Sequence, residues 1–356
     1  MTESSSGASM LFGTSLCACL EEEGFFSIGV LSPSEFESVV EKNATDKALV
    51  KRYLEQPIGS VVVVALRYGS GDYPLPESVN ARDQAGTPAL DIASFARANW
   101  YGELIFRLKR AVRNAKNHAS QQGLAMPAER QWRRLANSRL PEKSIALAAG
   151  LGFIGKNGIL IAAHTKAVSS APSGTIHNNI FDQDKVPLFS SAVVLGLLIC
   201  PKGFEFSWNL SRPPIPIGGC GTCRRCILAC PTAALNDIEP KFVRSSCIQY
   251  WTTVEGRIPE AIARHWGRRL YGCDTCLEAC PYFIEDEKAD TQLGRLGPSM
   301  PSSFLLERDE KTIQKTLSGT ALGLSWMSIK AFKRSAATIA AAGIPAAGIP
   351  AHKVGV

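Results

Sequence analysis

The chain has 356 residues, 45% of them apolar and 20% charged, with a net charge of +7. At about 150 residues per domain this is two domains of ordinary globular composition, which excludes a disordered or collagen-like chain. No apolar run approaches the roughly 20 residues that cross a bilayer, and no Lys or Arg precedes Lys42 to head an export signal, so a cytoplasmic protein without a membrane partner is expected.

In chain order, the polar, serine-rich first nine residues are expected to fray. Leu16, Leu20 and Phe25 ahead of Ile28-Gly29-Val30-Leu31 read as a helix running into a strand. The β-branched run from Gly59 to Leu66 reads as a strand buried on both faces. Apolar residues at helical spacing from Ile92 to Gln122 predict one long amphipathic helix. Pro141 to Ala149 reads as a helix closed by Gly150, Ile154 to Ala163 contains a strand after a loop from Gly152 to Gly158, and Ser191 to Ile199 is a further strand. Pro213, Pro214, Pro216 and Gly218-Gly219 break the pattern and mark a domain boundary. The expected organisation is an α/β (α+β) cofactor or substrate domain at 10–212, a cysteine-rich domain at 213–290 and a helical segment at 291–342, with helix predicted from Glu307 to Ala342. Ala341-Ala342-Gly343-Ile344-Pro345 is duplicated at 346–350, and 343–356 reads as a disordered tail.

Eleven cysteines in a chain expected in a reducing compartment point to metal ligation or redox chemistry rather than disulfides. Cys220, Cys223, Cys226 and Cys230-Pro231 form C-x2-C-x2-C-x3-C-P. Bacterial ferredoxins hold cubane clusters with this run, its fourth cysteine serving the other cluster. Cys273, Cys276 and Cys280-Pro281 match its last three positions, with Gly272 where the first would fall and Cys247 as the available substitute. The crossed arrangement assigns Cys220, Cys223, Cys226 and Cys280 to one [4Fe–4S] cluster, and Cys230, Cys247, Cys273 and Cys276 to the other. Two structural zinc sites are the rival reading, disfavoured because zinc knuckles are normally separated by a dozen or more residues rather than fused. Cys17, Cys19 and Cys200 are expected to be small buried apolar residues.

Clusters carry single electrons, and the upstream residues far exceed a ferredoxin's needs, which implies a second cofactor or a substrate pocket there. No G-x-G-x-x-G follows a predicted strand, since Gly150 to Gly155 follows a helix, and no G-x4-G-K-[ST] is present. Dinucleotide and triphosphate sites are disfavoured.

Cys247-Ile248-Gln249-Tyr250-Trp251-Thr252, Gly256-Arg257-Ile258-Pro259-Glu260 and Tyr271-Gly272-Cys273-Asp274-Thr275-Cys276 resemble the linker between the cluster motifs of epoxyqueuosine reductase, the iron–sulfur and cobalamin family of queuosine modification in tRNA. Glu142-Lys143 through Ala149 to Asn157 is similar to that family's cofactor-pocket loop. Glu23-Gly24-Phe25, Ile28-Gly29-Val30 and Lys333-Arg334-Ser335-Ala336-Ala337 match more loosely, so the resemblance runs from about Leu16 to Ala342. It implies a nitroreductase-like cofactor-binding domain followed by a two-cluster ferredoxin-like domain, binding two [4Fe–4S] clusters and cobalamin. The implied activity is reduction of epoxyqueuosine to queuosine in tRNA, with tRNA as partner and a low-potential electron donor such as ferredoxin or flavodoxin. The implied cofactor contacts are Gly152, Lys156 and Asn157. Arg224, Arg225, Arg268 and Arg269 beside the cysteines are candidates for tRNA phosphates, for tuning of the clusters, or for plain solvated surface.

Two positions depart from the family. The aspartate taken as its proton donor, six residues before the position of Glu142, is Ala136 here, with Asn137 beside it. The Asp-Tyr-His triplet of the long helix is replaced by Trp100-Tyr101-Gly102. Asn137 is therefore the candidate catalytic residue, as a hydrogen-bonding rather than an acidic group. An electron-transfer protein without substrate chemistry, and a corrinoid-dependent reductase of another substrate, are the alternative functions.

Overall fold

The computed structural model describes residues 3–46, 48, 53, 55–69, 71, 73, 75–76, 79, 88–167, 187–216, 218–239 and 241–342. The predicted tail at 343–356 lies outside them. The chain forms two units from interleaved segments: Met1–Tyr68, Tyr101–Cys223 and Pro281–Asp286 make the first, and Gly69–Trp100, Arg224–Cys280 and Glu287–Val356 the second. The sequence divides the chain after residues 212, 290 and 342; the backbone instead passes between the two units five times. The physical reason is strand pairing, because Ala89–Ile92, which precedes most of the first unit, pairs with Arg269–Tyr271 and Ser299–Pro301.

The first unit is built on an antiparallel sheet in the order Ser27–Leu31, Ile58–Arg67, Val193–Pro201, Arg133–Ala136. Val61, Val63 and Ala65 face a core with Phe36, Val40, Ile145 and Ala146 from the helices Pro33–Asn43 and Glu142–Ala148. The opposite face meets the helix Trp100–Gln121, whose Leu104 lies so close over Gly196 that a Cβ there would sit 2.2 Å from Leu104 Cδ2. Helices on both faces explain why the Ile58–Arg67 strand is buried nearly end to end rather than alternating. The long helix begins at Trp100, not at Ile92 as the spacing suggested, because Ile92 is used in the other unit's sheet. Of the first nine residues, expected to fray, those from Glu3 onward belong to one helix, Glu3–Glu22, which buries Phe12 against Trp132 and Phe204. Cys17, Cys19 and Cys200 are buried in this unit, and burial pushes each thiol above its ordinary range. Glu23 is also buried, held by Arg110 at 2.7 Å, which gives the Glu23-Gly24-Phe25 match a structural role.

The second unit packs the strands Arg269–Tyr271, Ala89–Ile92 and Ser299–Pro301 over a core of Trp266, Leu270, Phe304 and Phe332. Helix predicted continuously from Glu307 to Ala342 is divided into Glu310–Leu317 and Ile329–Ala341, with a turn at Gly319 and a short 3-10 segment Ala321–Gly323 between. Asp309 and Ser328 cap the two helices by accepting from Thr312 N and Ala331 N.

Candidate functional site

Cys230, Cys247, Cys273 and Cys276, one of the two assigned sets, gather within the second unit, with Cys226 of the other set beside them. The Cys276 thiol is pushed up to about 12, first by burial and then by the neighbouring sulfurs of Cys273, Cys247, Cys230 and Cys226. Cys247 is likewise raised by burial, with Cys273 and Cys230 beside it, while the N–H groups of Tyr250 and Gln249 favour its thiolate. Crowding anionic sulfurs without a cation is unfavourable, and iron removes that cost by coordinating them as thiolates. Further donors reach the sulfurs: Ala234 N–H to Cys230 Sγ at 3.3 Å, and the hydroxyls of Thr232 and Thr275 near Cys230 and Cys273 at 3.7 and 3.5 Å. Such bonds tune a cluster's potential. Among the described residues no three His, Cys, Asp or Glu side chains converge as tightly as a single metal ion requires. A cubane spreads its ligands wider, one thiolate per iron.

The structure accounts for Cys247 as the fourth member of this set. Position 272 has φ +88, and a Cβ there would lie 2.2 Å from Ala93 Cβ, so a cysteine cannot occupy it. Cys247 instead heads the helix Ile248–Thr253, whose far end is held by Arg334 through bonds to Val254 O at 2.6 Å and Gly256 O at 3.0 Å. The weak sequence match at Lys333-Arg334 is thereby explained: Arg334 satisfies carbonyls that the helix end leaves over. Asp274, between Cys273 and Cys276, accepts from Ser94 N at 2.7 Å and anchors the ligand loop. Gly272→Ala should cost at least about 1–3 kcal/mol from the backbone conformation alone, seen as a lower melting temperature and partial loss of the cluster held by Cys273 and Cys276.

Of the other set, Cys220 and Cys223 belong to the first unit and Cys226 and Cys280 to the second. Cys220 packs on Phe153, Ile161, Ala163 and Phe189, together with Tyr282. Tyr282 is fixed by its carbonyl, which accepts from Ser191 N at 2.7 Å. The loop implied to contact a cofactor passes Cys220 closely, since a Cβ on Gly155 would lie 3.6 Å from Cys220 Sγ. Asn157 Oδ1 accepts from Ile159 N at 3.1 Å, which fixes the amide orientation and leaves Nδ2 buried without a hydrogen-bond partner. Lys156 is half-buried beside it. Gly152 has a packing role: a Cβ there would lie 2.0 Å from Ile161 O across the hairpin of Gly152–Ile154 with Leu160–Ala163.

A cavity of about 470 Å³ in the first unit is lined by Tyr101, Asn137, Glu142, Lys143 and Ser144 over a floor that includes Val194. Asn137 follows the strand end Ala136 with φ +49, a left-handed conformation that asparagine tolerates better than most residues. Glu142, opening the helix Glu142–Ala148, is the lone carboxyl among the cavity's lining residues. Its Oε1 accepts from Ser138 N at 2.7 Å, and burial outweighs the bonds from Ser138 and Asn137 to lift it above the ordinary carboxylate range. Sequence reasoning had placed Glu142 only as a landmark. Gly150, at φ +73, ends this helix, and Arg212 crosses its last turn to Ala149 O and Ile28 O.

The candidate phosphate-binding arginines are mostly engaged within the second unit. Arg268 forks onto Asp91 at 2.9 and 3.2 Å, Arg269 donates to Trp266 O and Thr275 Oγ1, and Arg224 pairs with Asp237. Arg225 is exposed.

Residues 219–282 match the 4Fe-4S double cluster binding domain. An epoxyqueuosine reductase of Gloeobacter violaceus is 36% identical over 151 residues, covering 41% of this chain and 37% of that protein. One of Bacillus subtilis is 27% identical over 257 residues, 72% of this chain and 54% of that protein. The matched stretches therefore span between about a third and a half of these curated relatives. Among solved structures, epoxyqueuosine reductase from Streptococcus thermophilus superposes with a TM-score of 0.63 at 21% identity, over 92% of this chain and 80% of that one. An epoxyqueuosine reductase crystallised with an epoxyqueuosine-modified tRNA-Tyr stem loop superposes with a TM-score of 0.58 at 20% identity, over 92% and 80%. No described helix is long and apolar enough to cross a membrane. In sequence the chain is similar to the epoxyqueuosine reductases, it has their mixed α/β fold, and it carries a 4Fe-4S double cluster binding domain at residues 219–282.

Proposed function

We propose that the chain is a cytoplasmic iron–sulfur oxidoreductase that reduces epoxyqueuosine in tRNA to queuosine, using two [4Fe–4S] clusters and cobalamin. The observation that carries this reading is the joint presence of a gathered thiol set and, in the first unit, a polar cavity with a carboxyl of raised pKa. An electron carrier needs the first and has no use for the second. Converting the epoxide to an alkene takes up two electrons and two protons and releases water, so a reductase needs both. When bound, a corrinoid supplies a cobalt centre that accepts electrons singly and reaches low valence.

The buried, unpartnered Asn157 Nδ2 fits such a group. A leftover donor costs about 1–3 kcal/mol, and a bound polar group removes that cost. Asn157 and Lys156 would hold the corrinoid, Asn137 would orient substrate or a water, and Glu142 would hold the proton that leaves with the epoxide oxygen.

The test is anaerobic protein with both clusters loaded, given cob(II)alamin and an epoxyqueuosine-modified stem loop. The expected results are a cobalamin spectrum altered by displacement of its lower base, and queuosine detected by mass spectrometry. An unchanged spectrum with no product would make the chain an electron carrier. An altered spectrum without product would assign it another substrate.

A further inference from the structure

Leu228 and Ile238 are 74% and 78% exposed, and Phe242 is 47% exposed. Single exposed apolar residues are ordinary, but these three fall within one stretch of the second unit, 228–242. Leu228 lies one turn after Arg224 on the helix Arg225–Ala229, its N–H bonded to Arg224 O at 3.0 Å. Arg224 pairs in turn with Asp237, the neighbour of Ile238. Phe242 bridges back to Leu235 at the base of the same turn. The Arg224–Asp237 pair thus ties the start of the helix that carries Leu228 to the turn that carries Ile238.

The location gives this patch a use. Leu228 stands two residues after Cys226 and two before Cys230, ligands assigned to different clusters, on the short helix that joins them. Residues 224–244 hold four basic side chains, Arg224, Arg225, Lys241 and Arg244, against two acidic ones, Asp237 and Glu239. An apolar centre with a basic rim suits a transient protein partner of acidic surface. It suits RNA less well, because its two most exposed members, Leu228 and Ile238, are aliphatic and neither contact phosphates nor stack on bases, leaving Phe242 as a single aromatic ring.

We infer that the face formed by Leu228, Ile238 and Phe242 docks the electron donor, an acidic one-electron carrier protein of the flavodoxin or ferredoxin class. Each docking passes one electron from the donor's reduced flavin or iron–sulfur centre, which is oxidised, to a [4Fe–4S]²⁺ cluster, which becomes [4Fe–4S]⁺. Two dockings supply the two electrons of one turnover. The inference rests on the two-cluster reading above.

The test is stopped-flow reduction of the full chain with both clusters loaded, by reduced ferredoxin or flavodoxin and, separately, by dithionite. Leu228→Glu and Ile238→Glu are expected to slow reduction by the carrier about ten- to hundredfold, the range over which association rates vary among variants of one interface. Dithionite reduction and iron content should not change. Arg225→Glu, a surface change outside the apolar centre, should slow the carrier in the same direction, and rising salt should slow it for the unmodified protein. Carrier rates unaltered in all three variants would overturn the proposal. So would unaltered carrier rates with loss of stem-loop binding, which would give the face to RNA, or with a change in sedimentation, which would give it to a second copy of the chain. Failure of the unmodified protein to take up about eight iron atoms per chain would remove the two-cluster reading itself and the proposal with it.

Discussion

Replacing Cys247 with serine should lower the iron of anaerobically prepared protein from about eight atoms per chain to about four. The cluster assigned to Cys220, Cys223, Cys226 and Cys280 should remain. The argument is local to the second unit: Cys273 and Cys230 lie beside Cys247, and these three bear on Cys276 more strongly than Cys226, the ligand assigned to the other cluster. A serine hydroxyl keeps the shape but is a hard, weakly acidic ligand, so three thiolates are left for four irons. Visible absorbance should fall by about half, and one of two reduced-cluster signals should disappear from the electron paramagnetic resonance spectrum. Cys17→Ala, on the buried helix Glu3–Glu22, is the control and should retain full iron. Equal loss of both clusters in Cys247→Ser would mean that the crossed ligand assignment is wrong.

The cluster cysteines were legible because their chemistry is written in local spacing. Cys247 was legible only by elimination, and its physical reason needed three dimensions: the glycine at 272 is dictated by Ala93, and the helix headed by Cys247 is tied down by Arg334. The interleaving of the units was not legible, since Ile92 and Ala96 continue a helical spacing into Trp100, while strand pairing with residues 269–271 and 299–301 decides the structure of Ile92, and Ala96 lies in a short 3-10 turn. The loop expected from Gly152 to Gly158 is shorter in the structure, because Gly152–Ile154 is a strand paired with Leu160–Ala163, and spacing does not separate Gly152, fixed by the Ile161 carbonyl, from Asn157, which carries an unspent donor. Glu142 was hidden for another reason: burial and two backbone N–H groups set its proton affinity, and neither is visible in a one-dimensional pattern.

Glu142→Gln should reduce turnover of an epoxyqueuosine stem loop by about 10²–10⁴-fold, the usual contribution of a positioned general acid. Iron content, stem-loop affinity and cob(II)alamin binding should stay as they are. Glutamine preserves the acceptor for Ser138 N–H, so the turn that carries Asn137 is kept while the proton is lost. The pH dependence gives the decisive readout. A general acid works in its protonated form, and burial raises the Glu142 carboxyl above the ordinary carboxylate range. The rate should therefore decline as pH rises through that elevated value, and in Glu142→Gln this decline should vanish along with most of the rate. Asn137→Ala should weaken substrate positioning and leave the pH profile in place, because an amide does not titrate in this range. If Glu142→Gln kept the decline with pH, the proton would come from another group, and Tyr101, Lys143 and Ser144 are the other protic side chains lining the cavity.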